Sequence, residues 1–163
     1  MKVFSIICTR NRTLSPITTN LVHTLSSYGV EVKVLASQKS IFTAYEKGLS
    51  LCNAADEDII IFCHDDLQIL SSKPDFIAAL SKCVEKEAGI VGPAGTTLLA
   101  EDAVWWNHER WQGGYHRGAV KHYNSSSQIN TTQYGPFGQV VALDGLFLAA
   151  RKSVWEHINL KKP

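Results

Sequence analysis

Three consecutive polar residues close an apolar run: Ile59-Ile-Ile-Phe-Cys63 leads directly into His64-Asp65-Asp66. A uniformly apolar, β-branched run of this length suits a parallel strand covered on both faces, and open parallel sheets bind ligands just beyond the carboxyl ends of their strands. Two carboxylates and an imidazole stand at that point, and carboxylate oxygens are the natural ligands of Mg²⁺ or Mn²⁺, ions that often travel with substrate phosphates. A cation held at this His-Asp-Asp cluster would act as a Lewis acid towards a departing diphosphate. The plain alternative is a polar turn in which Asp66 caps the next segment of chain.

Two further loops belong to the same edge of such a sheet. Thr9-Arg10-Asn11-Arg12 follows the apolar run Val3–Cys8, and Ser37-Gln38 follows Val30–Ala36. Guanidinium groups at positions 10 and 12 suit phosphate or a planar base, since they offer two-point donation; the alternative is a pair of solvated loop arginines. Asp144-Gly145, between two apolar stretches, reads as a tight turn or a close approach of backbone to ligand. An acid there serves either as a structural hydrogen-bond hub or as part of the site. The stretch containing Trp105, Trp106, His108, Trp111, Tyr115, His116, His122 and Tyr123 offers aromatic faces with polar edges, which suit sugar rings or the core beneath a long loop. Its histidines show no recognised metal spacing.

The elements that must position these residues follow from periodicity and punctuation. Ser15-Pro16 is a helix start, with Ile17, Leu21, Val22 and Leu25 at helical spacing and Gly29 as the stop. Ser40 caps a second helix carrying Ile41, Ala44, Tyr45, Gly48, Leu49 and Cys52. Ser72-Lys73-Pro74-Asp75 opens a third, with Phe76, Ile77, Leu80 and Val84 inward. Three β-α units in succession predict a Rossmann-like parallel sheet with right-handed crossovers. Gly89–Gly92 reads as a fourth strand, while Pro93–Gly138 shows no period and holds three of the four tryptophans, the mark of a functional or flexible connection. Gln139–Leu143 and Leu146–Ala150 read as strands, and Arg151–Ile158 as a short helix.

At 163 residues the chain is expected to form one domain with a sizeable core. A net charge of +1, from 16 basic and 15 acidic side chains, gives no electrostatic case for nucleic acid as a partner. No apolar stretch approaches the roughly 20 residues of a bilayer span. The four cysteines form no C-x-x-C pair and sit in apolar settings, so free buried thiols and a cytoplasmic location are expected. No glycine-rich phosphate loop follows the first strand, which argues against a dinucleotide-binding protein of the ordinary Rossmann kind.

In order, Thr9-Arg10-Asn11-Arg12, Ser40-Ile-x-x-Ala-Tyr45-x-x-Gly48, His64-Asp65-Asp66 and Leu143-Asp144-Gly145-x-Phe-Leu-Ala-x-Arg151 resemble the family 2-type glycosyltransferases of the GT-A fold, in the branch whose acidic motif reads His-Asp-Asp. The resemblance covers nearly the whole chain. It implies a three-layer α/β/α sandwich with a mainly parallel central sheet: a nucleotide-binding half over residues 1–92 and an acceptor-side half over 93–163. It implies a UDP- or GDP-sugar donor, a saccharide or other hydroxyl acceptor, and Mn²⁺ or Mg²⁺ on Asp66, with Asp65 beside ribose and metal. Thr9 and Arg10 match the loop lining the nucleotide, the Ser40–Tyr45 helix closes its other side, and Asp144-Gly145 matches the turn near sugar and acceptor. Glu46 stands where the family motif usually has Asn. The family's general base lies beyond the helix that follows the Asp-Gly turn, and this sequence has no counterpart to it. That departure leads to the expectation of a C-terminally truncated domain, of Asp144, Asp102 or Glu101 as substitute bases, of a nucleotide-sugar-binding module without efficient transfer, or of a fragment completed by a partner chain or a second copy.

Overall fold

A computed structural model describes residues 1–85, 89–99, 101, 104–106, 114–123, 129–158 and 160. The chain forms two compact units, one of Met1–Val91 with Leu146–Pro163 and the other of Gly92–Gly145.

The first unit holds a four-stranded sheet. Its strands are β1 (Val3–Cys8), β2 (Glu31–Leu35), β3 (Ile59–Cys63) and β8 (Phe147–Arg151), in the order β2-β1-β3-β8. β1 runs parallel to both β2 and β3. All five residues of β3 are buried, as expected for a strand covered on both faces. The helices are α1 (Pro16–Ser27), α2 (Ile41–Leu51), α3 (Lys73–Ser81) and α4 (Lys152–His157). Leu21 and Leu25 of α1 and Phe76 and Leu80 of α3 pack with Ile7, Ile59, Ile61 and Cys63 on one face. Tyr45 of α2 and Trp155 of α4 pack with Phe4, Ile6, Ile60 and Phe62 on the other. The starts of α1, α2 and α3 were written in the sequence. Ser15 accepts the Thr18 N–H at 3.1 Å, Ser40 accepts the Thr43 N–H at 3.4 Å, and Ser72 accepts the Asp75 N–H at 3.4 Å. Gly29, at φ +88°, ends α1 as anticipated.

The expectation of a mainly parallel sheet is corrected: the fold is mixed α/β. β8 pairs with β3 antiparallel, Cys63 opposite Phe147 and Ile59 opposite Arg151. The handedness rule fixes strand direction only where a crossover helix returns the chain, and the sequence between β3 and β8 returns by another route. Ile77, expected inward, is exposed, as is Ile17 at the start of the helical stripe of α1; Thr18 and Cys83 are buried.

The second unit is an antiparallel sheet of β4 (Ala94–Thr96), β5 (His116–Tyr123), β6 (Ile129–Gly135) and β7 (Ala142–Leu143), in the order β6-β5-β4-β7. The strand expected over Gly89–Gly92 reduces to a single bridge, Val91 with Ala149. That over Gln139–Leu143 shortens to its last two residues. The stretch expected to lack regular structure instead carries three of the four strands. Their period is hidden because the β5–β6 register shifts between Gly118 and Ala119, which breaks the alternation of faces. Gly118 is irreplaceable there: its φ is +88°, and a Cβ would lie 2.0 Å from the Pro93 carbonyl oxygen.

Candidate functional site

The carboxyl ends of β1 and β2 are laced together beyond the strands. The Thr9 N–H donates to Leu35 at 2.9 Å, the Gln38 N–H donates to the Thr9 carbonyl at 2.9 Å, and the Ser37 N–H donates to Asn11 at 3.2 Å. The buried Thr9 hydroxyl accepts the Asn11 N–H at 3.2 Å. Ser37 adopts a left-handed φ of +58° to make the turn. Gln38 folds back, its Nε2 donating to Ala36 at 2.6 Å. Thr9, Asn11, Ser37 and Gln38, picked from the sequence as strand-end residues, thus form one hydrogen-bonded ledge. Arg10 and Arg12 are exposed on it.

At the end of β3, the His64 N–H donates to the Leu146 carbonyl at 3.0 Å, which extends the β3–β8 ladder by one residue. The Asp65 carbonyl accepts the hydroxyl of Thr18 at 2.9 Å, and that hydroxyl also pairs with the Ser15 hydroxyl at 2.8 Å. The first turn of α1 therefore holds the chain where the acidic pair begins. Leu67, buried just beyond, anchors the other end. Asp66 between these anchors is exposed, and no hydrogen bond or ion pair engages its carboxylate among the described residues. The capping alternative does not hold for it, because α3 is capped by Ser72.

Sequence reasoning missed Thr18. Its signal was available: it shares the helical stripe of Leu21 and Leu25, where a hydroxyl turned to the core needs an acceptor. Cys8 was also missed as a site neighbour. Burial, then the nearby Asp65 charge, raises its thiol above the ordinary value, and Tyr45 offsets this in part. Burial likewise pushes Cys63 up to about 12. Neither thiol is a thiolate at neutral pH, so the chemistry available at this edge is that of carboxylate, hydroxyl and guanidinium. Tyr45 is packed flat on Phe62, with ring centroids 4.3 Å apart and planes 8° from parallel. It is a floor beneath the strand ends rather than a free side wall.

Among the described residues no three His, Cys, Asp or Glu side chains are grouped to hold an ion by themselves. The donor chemistry nevertheless fits Mg²⁺ or Mn²⁺. Such ions are commonly held by one or two carboxylates and completed by water and substrate phosphate, and an unengaged exposed carboxylate at a strand end meets that need.

Asp144 and Gly145 belong to the second unit. The Asp144 N–H donates to Ala94 at 2.9 Å, and its half-buried carboxylate lies near Tyr134, whose hydroxyl is raised first by burial and then by that charge. Gly145 is an exposed turn residue. The positive-φ glycines among the described residues are Gly29, Gly114 and Gly118, so its turn needs no left-handed backbone. The aromatic stretch divides. Trp105 and His116 are buried, the imidazole Nε2 2.6 Å from the Trp105 carbonyl, and both pack against Tyr134. Trp106, Tyr115, His122 and Tyr123 are exposed. His108, Trp111 and Asp102 lie outside the described residues, and Glu101 is exposed.

The sequence profile described as "Glycosyltransferase like family" matches residues 5–159. A comparison with curated proteins gave no match. Among solved structures, the chain is similar to one described as "Crystal Structure of A197 from STIV", with a TM-score of 0.56 and 13% identity, over 98% of this chain and 69% of that one.

Proposed function

This chain belongs to the glycosyltransferase-like family, and from that premise we propose that it transfers a sugar from a UDP- or GDP-sugar to the hydroxyl of a saccharide or similar acceptor. The observation that supports this most directly is Asp66: a carboxylate presented at the end of β3, free of any structural task, beside a backbone pinned by Thr18. Building and tethering an exposed acid without giving it an internal partner makes physical sense if its partner is a ligand.

In this reading the ledge of Thr9, Asn11, Ser37 and Gln38 lines the nucleoside. Arg10 and Arg12 offer paired donors to the diphosphate. Asp65 faces the ribose. Asp66, with His64 in support, would hold Mn²⁺ or Mg²⁺, whose positive charge would stabilise the departing diphosphate. In the transfer itself the acceptor oxygen bonds to the sugar carbon as the bond from that carbon to phosphate oxygen breaks. The hydroxyl proton goes to a carboxylate base, and we assign that role to Asp144.

Calorimetric titration with UDP- and GDP-sugars, with and without Mn²⁺, tests the donor site. Binding that strengthens with the ion, and loses that gain in Asp66→Asn without loss of thermal stability, is expected. Absence of nucleotide binding in both conditions would overturn the proposal. Release of nucleoside diphosphate in the presence of an acceptor mixture tests transfer, and donor binding without release would reduce the chain to a binding module.

A further inference from the structure

The sheet of the second unit ends on one side at β6, whose sequence is Ile-Asn-Thr-Thr-Gln-Tyr-Gly. That strand is rich in strand-forming residues and holds no charged residue and no proline. An outer strand presents a row of open backbone N–H and C=O groups. Natural proteins normally blunt it with a charge, a proline, brevity or a cover. The other sheet edges of this chain each carry one of those devices. β2 bears the Glu31–Lys33 ion pair at 2.8 Å, and β7 is two residues long. β8 is covered in its middle by Val91, which exchanges hydrogen bonds with Ala149 at 2.8 Å in both directions. β6 has no such device among the described residues.

The hairpin that carries β6 is also short of neighbours. β4 and Pro93 reach β5 no further than Ala119, whose N–H donates to Pro93 at 3.1 Å. From Val120 to Tyr123 the strand paired with β5, among the described residues, is β6 over Ile129–Thr132. Two strands alone are marginal in water, and a third stabilises them. Asn130, Thr131 and Gln133 are exposed, and beyond the β5 ladder the described residues give them no hydrogen bond.

We infer that β6 is a self-association edge, pairing antiparallel with β6 of a second copy about a twofold axis at Thr132, so that two four-stranded sheets become one. The composition of the strand argues for a second copy over a foreign strand. In that register Thr132 faces its own copy, Thr131 faces Gln133 and Asn130 faces Tyr134. No charge meets a like charge, and hydroxyl and amide side chains fall opposite one another. The positions that meet differ by an even number, so backbone groups turned outward on one strand meet groups turned outward on the other. A twofold contact of this kind closes on itself and stops at a dimer. The inference does not rest on the nucleotide-sugar reading.

Sedimentation equilibrium over a concentration series tests it, with wild type and two variants at exposed positions. Thr131 lies opposite Lys121 within the hairpin, so Thr131→Glu makes a favourable internal pair in both variants. T131E/Q133E sets like charges against each other twice across the twofold axis. It should weaken the dimer about two- to thirtyfold. T131E/Q133K sets opposite charges against each other twice and should retain the dimer or tighten it. Hydrogen exchange of the wild type gives a reading free of substitutions: amides within Asn130–Gln133 should exchange more slowly as protein concentration rises. A wild type that is monomeric at every concentration overturns the inference. Equal dissociation constants for the two variants, or exchange in this segment that ignores concentration, overturn it as well.

Discussion

The tether between α1 and the acidic strand end can be broken with a nearly isosteric change, Thr18→Val. Thr18 is 1% exposed, and its hydroxyl donates to the Asp65 carbonyl at 2.9 Å while pairing with Ser15 at 2.8 Å. Valine keeps the methyl group and the volume but strips the donor from a partly buried carbonyl. A lost hydrogen bond of this kind costs about 1–2 kcal/mol, with the Ser15 hydroxyl free to turn to water. For a chain of this length each kcal/mol moves Tm by about 2–4 °C, so a fall of roughly 2–8 °C is expected by calorimetry or circular dichroism. The second consequence is specific to the site. With the Asp65 backbone released, the Mn²⁺-dependent gain in nucleotide affinity should shrink, while affinity without the ion changes little. Thr18→Ser restores the hydroxyl and should recover that gain. The reasoning is refuted if Thr18→Val matches wild type in Tm, or if it loses stability yet keeps the full ion-dependent gain.

Gly48→Ala should lower stability by about 1–3 kcal/mol, because the added methyl would meet Ile6 Cγ2 at 2.3 Å; chemical denaturation measures it, and an unchanged midpoint counts against the close packing of α2 on β1. Asp58 accepts N–H bonds from Lys2 at 2.6 Å and Ala55 at 2.9 Å, which hold its carboxyl below the usual range. Its folded pKa is depressed, so the stability it contributes is present above the unfolded value of about 4 and is lost as pH falls through the folded value. A Tm–pH series should show the wild type losing stability on acidification. Asp58→Asn should be less stable at neutral pH and flatter on the acid side; parallel curves would count against the linkage.

How far the chain could be read from its residues differs between its two units. Local signals are short-range and were all present: the serine caps at 15, 40 and 72, the stop at Gly29, and the wholly apolar β3. The acids at the end of β3 and the loops after β1 and β2 followed from them, because parallel strands necessarily bring their carboxyl ends to one edge. The order of short motifs was enough to suggest the glycosyltransferase-like family that the profile match then showed. Tertiary structure alone decided what depends on long-range pairing. The antiparallel direction of β8 rests on its register with β3, and the second sheet has no periodic signature because a bulge and a close backbone contact at Gly118 interrupt it. The same holds within the site. Residue types announce that Thr18 can donate and that Asp66 can hold a cation. Which of these groups finds a partner is set by atoms far away in the chain. Folding joins Thr18 to Asp65 and leaves the Asp66 carboxylate unengaged, and no local pattern encodes those outcomes.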